Sequence, residues 1–190
     1  MIRIGILGDI GSGKSFIAKK FGYPVFNADE EVGKLYKNNR NVFRKLKKIL
    51  PKYINTFPVK KNEISEAILS EKKNLKKIVK IIHLEIRKKM NSFIKKNKNK
   101  EIIILDVPLL LENKINRKKD LLIFVETKKK DVLKRLKKRK GYNSKLIRRF
   151  KKIQLPLAYK KKKSHFLVKN NFTSKYIKKD INNILKKILI

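Results

Sequence analysis

Apolar residues recur along this chain with two different periods, and their alternation predicts the architecture. Short, nearly unbroken apolar runs have the length of buried parallel strands: 2–7, with Ile2, Ile4, Ile6 and Leu7, then 25–27, 101–106 (EIIILD), 121–125 and 166–168. Between them the apolar spacing changes to three and four, the mark of a helix with one buried face. Residues 15–21 start a first helix, and a polar turn is expected at Ala28 and Asp29. From Glu30 to about Lys100 the pattern is helical, broken by Pro51 and Pro58, with Leu75, Ile78, Val79, Ile82 and Ile86 on one face. Residues 129–138 read as a helix ended by Gly141, 144 to about 163 as a basic helix, and 174–190 as a closing amphipathic helix. Strands alternating with helices predict an α/β fold, a doubly wound parallel sheet of about five strands with right-handed crossovers.

Glycine adds the first chemistry. Only seven are present, and Gly5, Gly8, Gly11 and Gly13 crowd into the first thirteen positions. There the backbone must turn sharply and come close to something. GDIGSGKS, residues 8–15, matches G-x-x-x-x-G-K-[ST] and lies between a predicted strand and a predicted helix, as a phosphate-binding loop must. Its main-chain N–H groups cradle phosphates, Lys14 bridges the β- and γ-phosphates of ATP, and the Ser15 hydroxyl binds Mg²⁺. Asp29 ends the second strand, where a carboxylate can take a proton from an attacking hydroxyl, or can cap the helix that follows. Asp106 ends the third strand, where a carboxylate can support Mg²⁺ or hold a turn with Pro108. Both choices stay open on these residues alone.

Charge changes the picture of partners. The 190 residues carry 54 Lys and Arg against 15 Asp and Glu, a formal net charge of +39. Such a field attracts polyanions. The lysines nevertheless spread over nearly every predicted helix, and aromatics do not alternate with them as stacking platforms would. Lys, Asn and Ile dominate as in an A/T-rich genome, so the charge reads as solvated helix faces with no specific nucleic-acid partner. A hydrophobic fraction of 41% excludes wholesale disorder, and the absence of cysteine excludes disulfides and thiolate metal sites. No apolar run approaches the ~18 residues of a membrane span. The N-terminus lacks the layout of a signal peptide, so a cytoplasmic protein without a membrane partner is expected. Motor and transporter ATPases need far more chain, and GTPase base-recognition motifs are not evident, which leaves a small-molecule kinase. Another small P-loop kinase, acting on a nucleoside monophosphate or a sugar acid, is an alternative, as is a basic nucleic-acid-binding ATPase.

With these residues assembled, the sequence resembles the dephospho-CoA kinase family. GILGDIGSGKS is similar to the family's G-L-T-G-G-I-G-S-G-K-[ST], and VFNAD to its V-x-D-A-D, which places the base on Asp29. LKKIVKIIHLEIRKKM resembles the helix ending L-x-x-I-x-H-P-x-V-R, with His83 and Arg87 in the acceptor region. DVPLLLE matches [DV]-[VI]-P-L-L-x-E and adds Pro108, Leu109 and Glu112 as acceptor residues, with Asp106 as a metal residue. QLPLAYKKKKSHFLVKN resembles Q-x-P-x-x-x-K-x-x-x-A-D-x-V-I-x-N, covering Gln154, Lys160 and Asn170. The resemblance implies transfer of the γ-phosphoryl of ATP to the ribose 3′-hydroxyl of dephospho-CoA, the last step of coenzyme A synthesis, by a monomer or weak oligomer using Mg²⁺. ATP contacts are expected from Gly8, Gly11, Ser12, Gly13, Lys14, Ser15, Phe16, Arg139 and Asn170, and catalysis from Asp29 and Lys14.

The sequence departs from the family pattern in places. Asp9 stands where the family has Gly and brings negative charge to the phosphate loop; Asn27 replaces the first Asp of D-A-D, so Asp29 alone remains as base. Leu84 follows His83 in place of Pro, and His165 replaces an Asp before the last strand. For His83, acceptor contact and a structural hydrogen bond both stay open. Asp131 lies four residues before Arg135, the register of an ordinary helix ion pair, and Arg139 is kept as a phosphate contact from a lid. The expected organisation is one P-loop kinase domain over 1–190: 1–30, 101–135 and 164–190 as nucleotide-binding core, 31–100 as helical acceptor-binding insertion, and 136–163 as lid.

Overall fold

A computed structural model describes residues 1–139 and 141–189. Lys140, within the expected lid, and Ile190, at the end of the expected closing helix, lie outside the described residues. The chain forms two compact units, Met1–Asn27 with Lys96–Tyr142 and Gln154–Ile190, and Ala28–Lys95 with Asn143–Ile153. Of the expected lid, positions 136–142 and 154–163 therefore belong to the first unit and 143–153 to the second.

The first unit is built on a five-stranded parallel sheet. Its strands are β1 (Ile2–Gly8), β2 (Val25–Asn27), β3 (Ile102–Asp106), β4 (Leu121–Glu126) and β5 (Phe166–Lys169), in the spatial order β2-β3-β1-β4-β5. Every expected strand forms, and the apolar runs are continuous because both faces are covered: β3 is buried from end to end. Helices α1 (Lys14–Lys20) and α9 (Ser174–Ile188) cover one face. Ile17 and Ala18 from the first with Phe21 at its C-cap, and Ile177, Ile181 and Ile184 from the second, pack on Ile4, Ile6, Ile102, Ile104, Ile123 and Val125. Each fully buried Ile contributes about 1.5–3 kcal/mol. Strand order reverses between β1 and β3, so ligands are expected beyond their carboxyl ends, at Gly8 and Asp106.

The expected basic helix over 144–163 is instead two helices, α7 (Ser144–Lys152) and α8 (Leu157–Lys162). Pro156 is the reason: it has no N–H to donate and disfavours helix at Leu155, so it serves as the N-cap of α8. The remaining helix of the first unit is α6 (Lys129–Lys137).

The second unit carries α2 (Ala28–Asn38), α3 (Arg40–Ile49), α4 (Lys61–Ser70), α5 (Lys72–Lys96) and α7. Its breaks are chemical. Asn39 caps α3 by accepting the Val42 N–H at 3.0 Å. The Glu63 carboxylate gathers the N–H groups of Asn55, Thr56 and Lys60 at 3.0–3.1 Å, closing the loop before α4. Along α5, Leu75, Ile78, Ile82, Ile86 and Met90 are buried at spacings of three and four, and Val79 is half-buried. The expected turn at Ala28 and Asp29 does not form. Helix α2 begins at Ala28, so Asp29 lies in its first turn rather than at a cap.

Candidate active site

Beyond the carboxyl end of β1, residues 9–13 fold into a tight loop that enters α1. Gly11 and Gly13 sit at φ of 86° and 91°, and a Cβ on Gly13 would fall on Asn170 Nδ2, so glycine is demanded there twice over. Lys14 Nζ donates to Gly8 O at 3.2 Å and Asp9 O at 2.7 Å, which folds the ammonium back over the loop. Asp9 Oδ1 accepts the Ile10 N–H at 2.7 Å. The negative charge that departs from the family pattern is thus turned onto the loop's own backbone. Ser12 is only 1% exposed; its N–H donates to Asp9 O at 3.2 Å, and its hydroxyl is buried without a hydrogen-bond partner. Ser15 is half-buried in the first turn of α1, and Phe16 next to it is exposed.

A cavity of about 430 Å³ opens in the same unit, lined by Phe16, Asp131, Lys134, Arg135, Lys138 and Phe172. That volume and the two phenylalanine rings in its lining suit a flat heterocycle. Arg135 does not pair with Asp131 as its spacing predicts. Its guanidinium lies 4.7 Å from the Phe172 ring centre, and burial, with Arg139 nearby, lowers its pKa. Phe172 holds a left-handed φ of 64°. Asn170 is 2% exposed; its Nδ2 donates to Ser12 O at 2.7 Å and its Oδ1 accepts the Phe172 N–H at 2.9 Å. Thr127 Oγ1 donates to the same Ser12 carbonyl at 3.0 Å. Arg139 is exposed beyond α6.

At the end of β3, Asp106 is 3% exposed and pairs in register with Asn27, whose Nδ2 donates to Asp106 Oδ2 at 3.3 Å. An amide there gives the carboxylate a donor, where a second carboxylate would repel it. Pro108 and Leu109 follow, half-buried. Glu112 is in a buried ion pair: Lys160 Nζ lies 2.7 Å from its Oε1, with side-chain exposures of 1% and 8%. The Leu155 N–H also donates to Glu112 Oε1 at 3.0 Å, and Lys160 Nζ donates to Gln154 Oε1 at 3.1 Å.

The second unit holds the other expected residues. Asp29 is exposed in the first turn of α2, two positions after the end of β2. His83 and Arg87 lie one turn apart on α5. Burial, and then the Arg87 charge, lower the His83 pKa, and its Nε2 is shut from solvent without a hydrogen-bond partner.

A family model for dephospho-CoA kinase matches residues 2–175 of the chain. The chain belongs to the dephospho-CoA kinase family. Among curated relatives, a dephospho-CoA kinase of Wolbachia sp. subsp. Brugia malayi is 32% identical, over 96% of this chain and 95% of that protein. One from Ehrlichia canis is 29% identical over 100% and 96%. The solved TT1252 from Thermus thermophilus superposes with a TM-score of 0.78 at 23% identity, over 100% of this chain and 98% of that one. A dephospho-CoA kinase from Campylobacter jejuni gives 0.64 at 20% identity, over 98% and 96%. Membership carries the family activity, ATP-dependent phosphorylation of dephospho-CoA in coenzyme A biosynthesis, which sets aside the nucleic-acid-binding ATPase and the other small kinases.

Phe16 and Asn170 stand among the expected ATP contacts, whereas sequence reasoning missed Phe172 in the cavity wall, Arg135 over its ring and Thr127 on the loop. The spacing gives Arg135 to an ion pair with Asp131, and no local pattern marks Thr127 or Phe172. The available signal was slight: an aromatic two residues after Asn170, and a threonine directly after β4.

Proposed function

We propose that phosphoryl transfer proceeds in line from ATP held by the first unit to the ribose 3′-hydroxyl of dephospho-CoA, with Asp29 as the base. The observation that carries this reading is a preformed phosphate loop at residues 8–15 sharing one unit with a cavity walled by Phe16 and Phe172. Main-chain N–H groups of Gly13, Lys14 and Ser15 grip the phosphates, and Lys14 exchanges its bonds to Gly8 O and Asp9 O for phosphate oxygens. In the step itself, the hydroxyl oxygen bonds to the γ-phosphorus as the bond from that phosphorus to the bridging oxygen of ADP breaks. The hydroxyl proton passes to the Asp29 carboxylate.

Mg²⁺ fits the oxygens present. It keeps water and phosphate ligands and asks one or two oxygens of the protein. The Ser15 hydroxyl and the Asp106 carboxylate would hold it, and among the described residues no cluster of three His, Cys, Asp or Glu side chains forms a closed cage. When bound, the ion neutralises charge on the transferring group. His83, Arg87, Pro108, Leu109 and Glu112 are assigned to dephospho-CoA, Arg139 to the phosphates, and 136–163 to a lid that excludes water. Among the described residues no helix is long and apolar enough to cross a membrane.

The test sets wild type beside Asp29→Asn with ATP, Mg²⁺ and dephospho-CoA, and measures coenzyme A formed. Asparagine keeps size and reach but takes no proton, so the rate falls ~10²–10⁴-fold. ATP affinity and melting temperature stay put. An unchanged rate, or one lost only together with stability, refutes the assignment of Asp29.

A further inference from the structure

Asn170 stands on an expected ATP-contact position, yet it is 2% exposed and spends both ends of its amide on the protein. One end, Nδ2, donates to Ser12 O at 2.7 Å inside the phosphate loop. The other, Oδ1, accepts the Phe172 N–H at 2.9 Å. That second bond closes a side-chain turn which holds Phe172 at a φ of 64°, a backbone state that costs a non-glycine residue about 1 kcal/mol. Held there, the Phe172 ring lies under Arg135 and walls the cavity.

The Ser12 carbonyl also accepts from Thr127 Oγ1 at 3.0 Å, so donors from the ends of β4 and β5 converge on one oxygen. A peptide group is planar and trans, so its N–H points opposite to its carbonyl. Pinning Ser12 O on the side of Asn170 and Thr127 therefore aims the Gly13 N–H the other way, away from both donors. Glycine at 13 is what lets the Asn170 amide approach so closely, because a Cβ there would occupy the place of Nδ2.

We infer that Asn170 is a positioning residue that couples the two halves of the nucleotide site, orienting the Gly13 N–H for phosphate through Ser12 O and setting the Phe172 wall for the base through its N–H. Thr127 serves the phosphate half alone. This deepens the reading of the loop and cavity as the ATP site, and rests on it.

The two halves separate experimentally, using adenosine as a probe without phosphate and inorganic tripolyphosphate as a probe without base. Calorimetric affinities are measured for wild type, Thr127→Val, Thr127→Ser, Asn170→Asp and Asn170→Ala. Thr127→Val removes one donor without changing shape, so tripolyphosphate binding weakens about five-fold, the usual effect of one neutral hydrogen bond, with adenosine unchanged. Thr127→Ser restores it, which a packing role for the methyl group would not do. Asn170→Asp keeps the acceptor for Phe172 but sets an oxygen against Ser12 O, so tripolyphosphate weakens more than five-fold and adenosine is spared. Asn170→Ala weakens both. If Asn170→Ala fails to fold, Asn170→Asp and Thr127→Val still carry the test. Equal losses for both probes in Asn170→Asp, or a Thr127→Ser no better than Thr127→Val, overturn the proposal while wild type binds normally. A wild type that binds neither probe overturns the ATP-site reading itself, and the coupling with it.

Discussion

Replacing Lys160 by Met tests the most heavily buried charge among the described residues of the first unit. Lys160 is 1% exposed and its ammonium is 2.7 Å from Glu112 Oε1. Methionine fills most of the same volume without charge. It leaves the Glu112 carboxylate, 8% exposed, with the Leu155 N–H as its remaining donor to Oε1, while Oε2 already has no partner. Removing one member of a buried pair costs about 3–5 kcal/mol, because the other charge stays desolvated. With an unfolding entropy of ~2.1 cal/mol/K per residue, the 190 residues give about 0.4 kcal/mol/K, so the melting temperature falls by roughly 8–12 °C. Glu112→Leu alone strands the lysine and should cost a similar amount, since Gln154 offers it only a neutral acceptor at 3.1 Å. The double variant Glu112→Leu with Lys160→Met removes both charges and should recover most of the loss. Melting curves followed by circular dichroism at pH 7 give all three values. A Lys160→Met protein melting within ~2 °C of wild type, or two losses that simply add, would refute the reasoning. The double variant also isolates the acceptor role assigned to Glu112: in that stable protein the KM for dephospho-CoA rises.

Lys14→Ala should lower kcat by ~10²–10³-fold, the usual loss of one charge-stabilising donor, with the melting temperature unchanged. Turnover near the wild-type rate would remove Lys14 from the catalytic machinery. Burial and Arg87 hold the His83 pKa below its ordinary value of 6.5, so the unfolded chain takes up that proton more readily than the folded one. Wild type should therefore lose stability relative to His83→Gln as pH falls below about 6.5, and show no such difference above it; denaturant melts at pH 7.5 and 5.5 with parallel changes would refute this. At Gly5, an added Cβ meets Leu122 Cδ2 at 2.9 Å and crowds Leu110. Gly5→Ala should cost about 1–3 kcal/mol by overpacking, and an undiminished melting temperature would show that these leucines yield freely.

The strands and the phosphate loop were legible because their causes are local. A continuous apolar run such as EIIILD has few other ways to bury itself, and GDIGSGKS carries its backbone requirement in its own glycines. The motifs assigned to the acceptor are readable as a resemblance, in order along the chain. Other features depended on residues far apart in sequence. The break at Pro156 was present in the letters, yet the basic residues around it looked like one solvated helix; only packing shows Lys160 to be buried beside Glu112. Arg135 had a carboxylate in register on its own helix, and the fold instead offered the ring of Phe172, 37 positions later. The two donors on Ser12 O come from 115 and 158 residues downstream. Local periodicity and turn chemistry determine which segments become strands, helices and loops. Which side chains meet at the strand ends is decided by the strand order, because the parallel sheet β2-β3-β1-β4-β5 delivers distant loops to one edge.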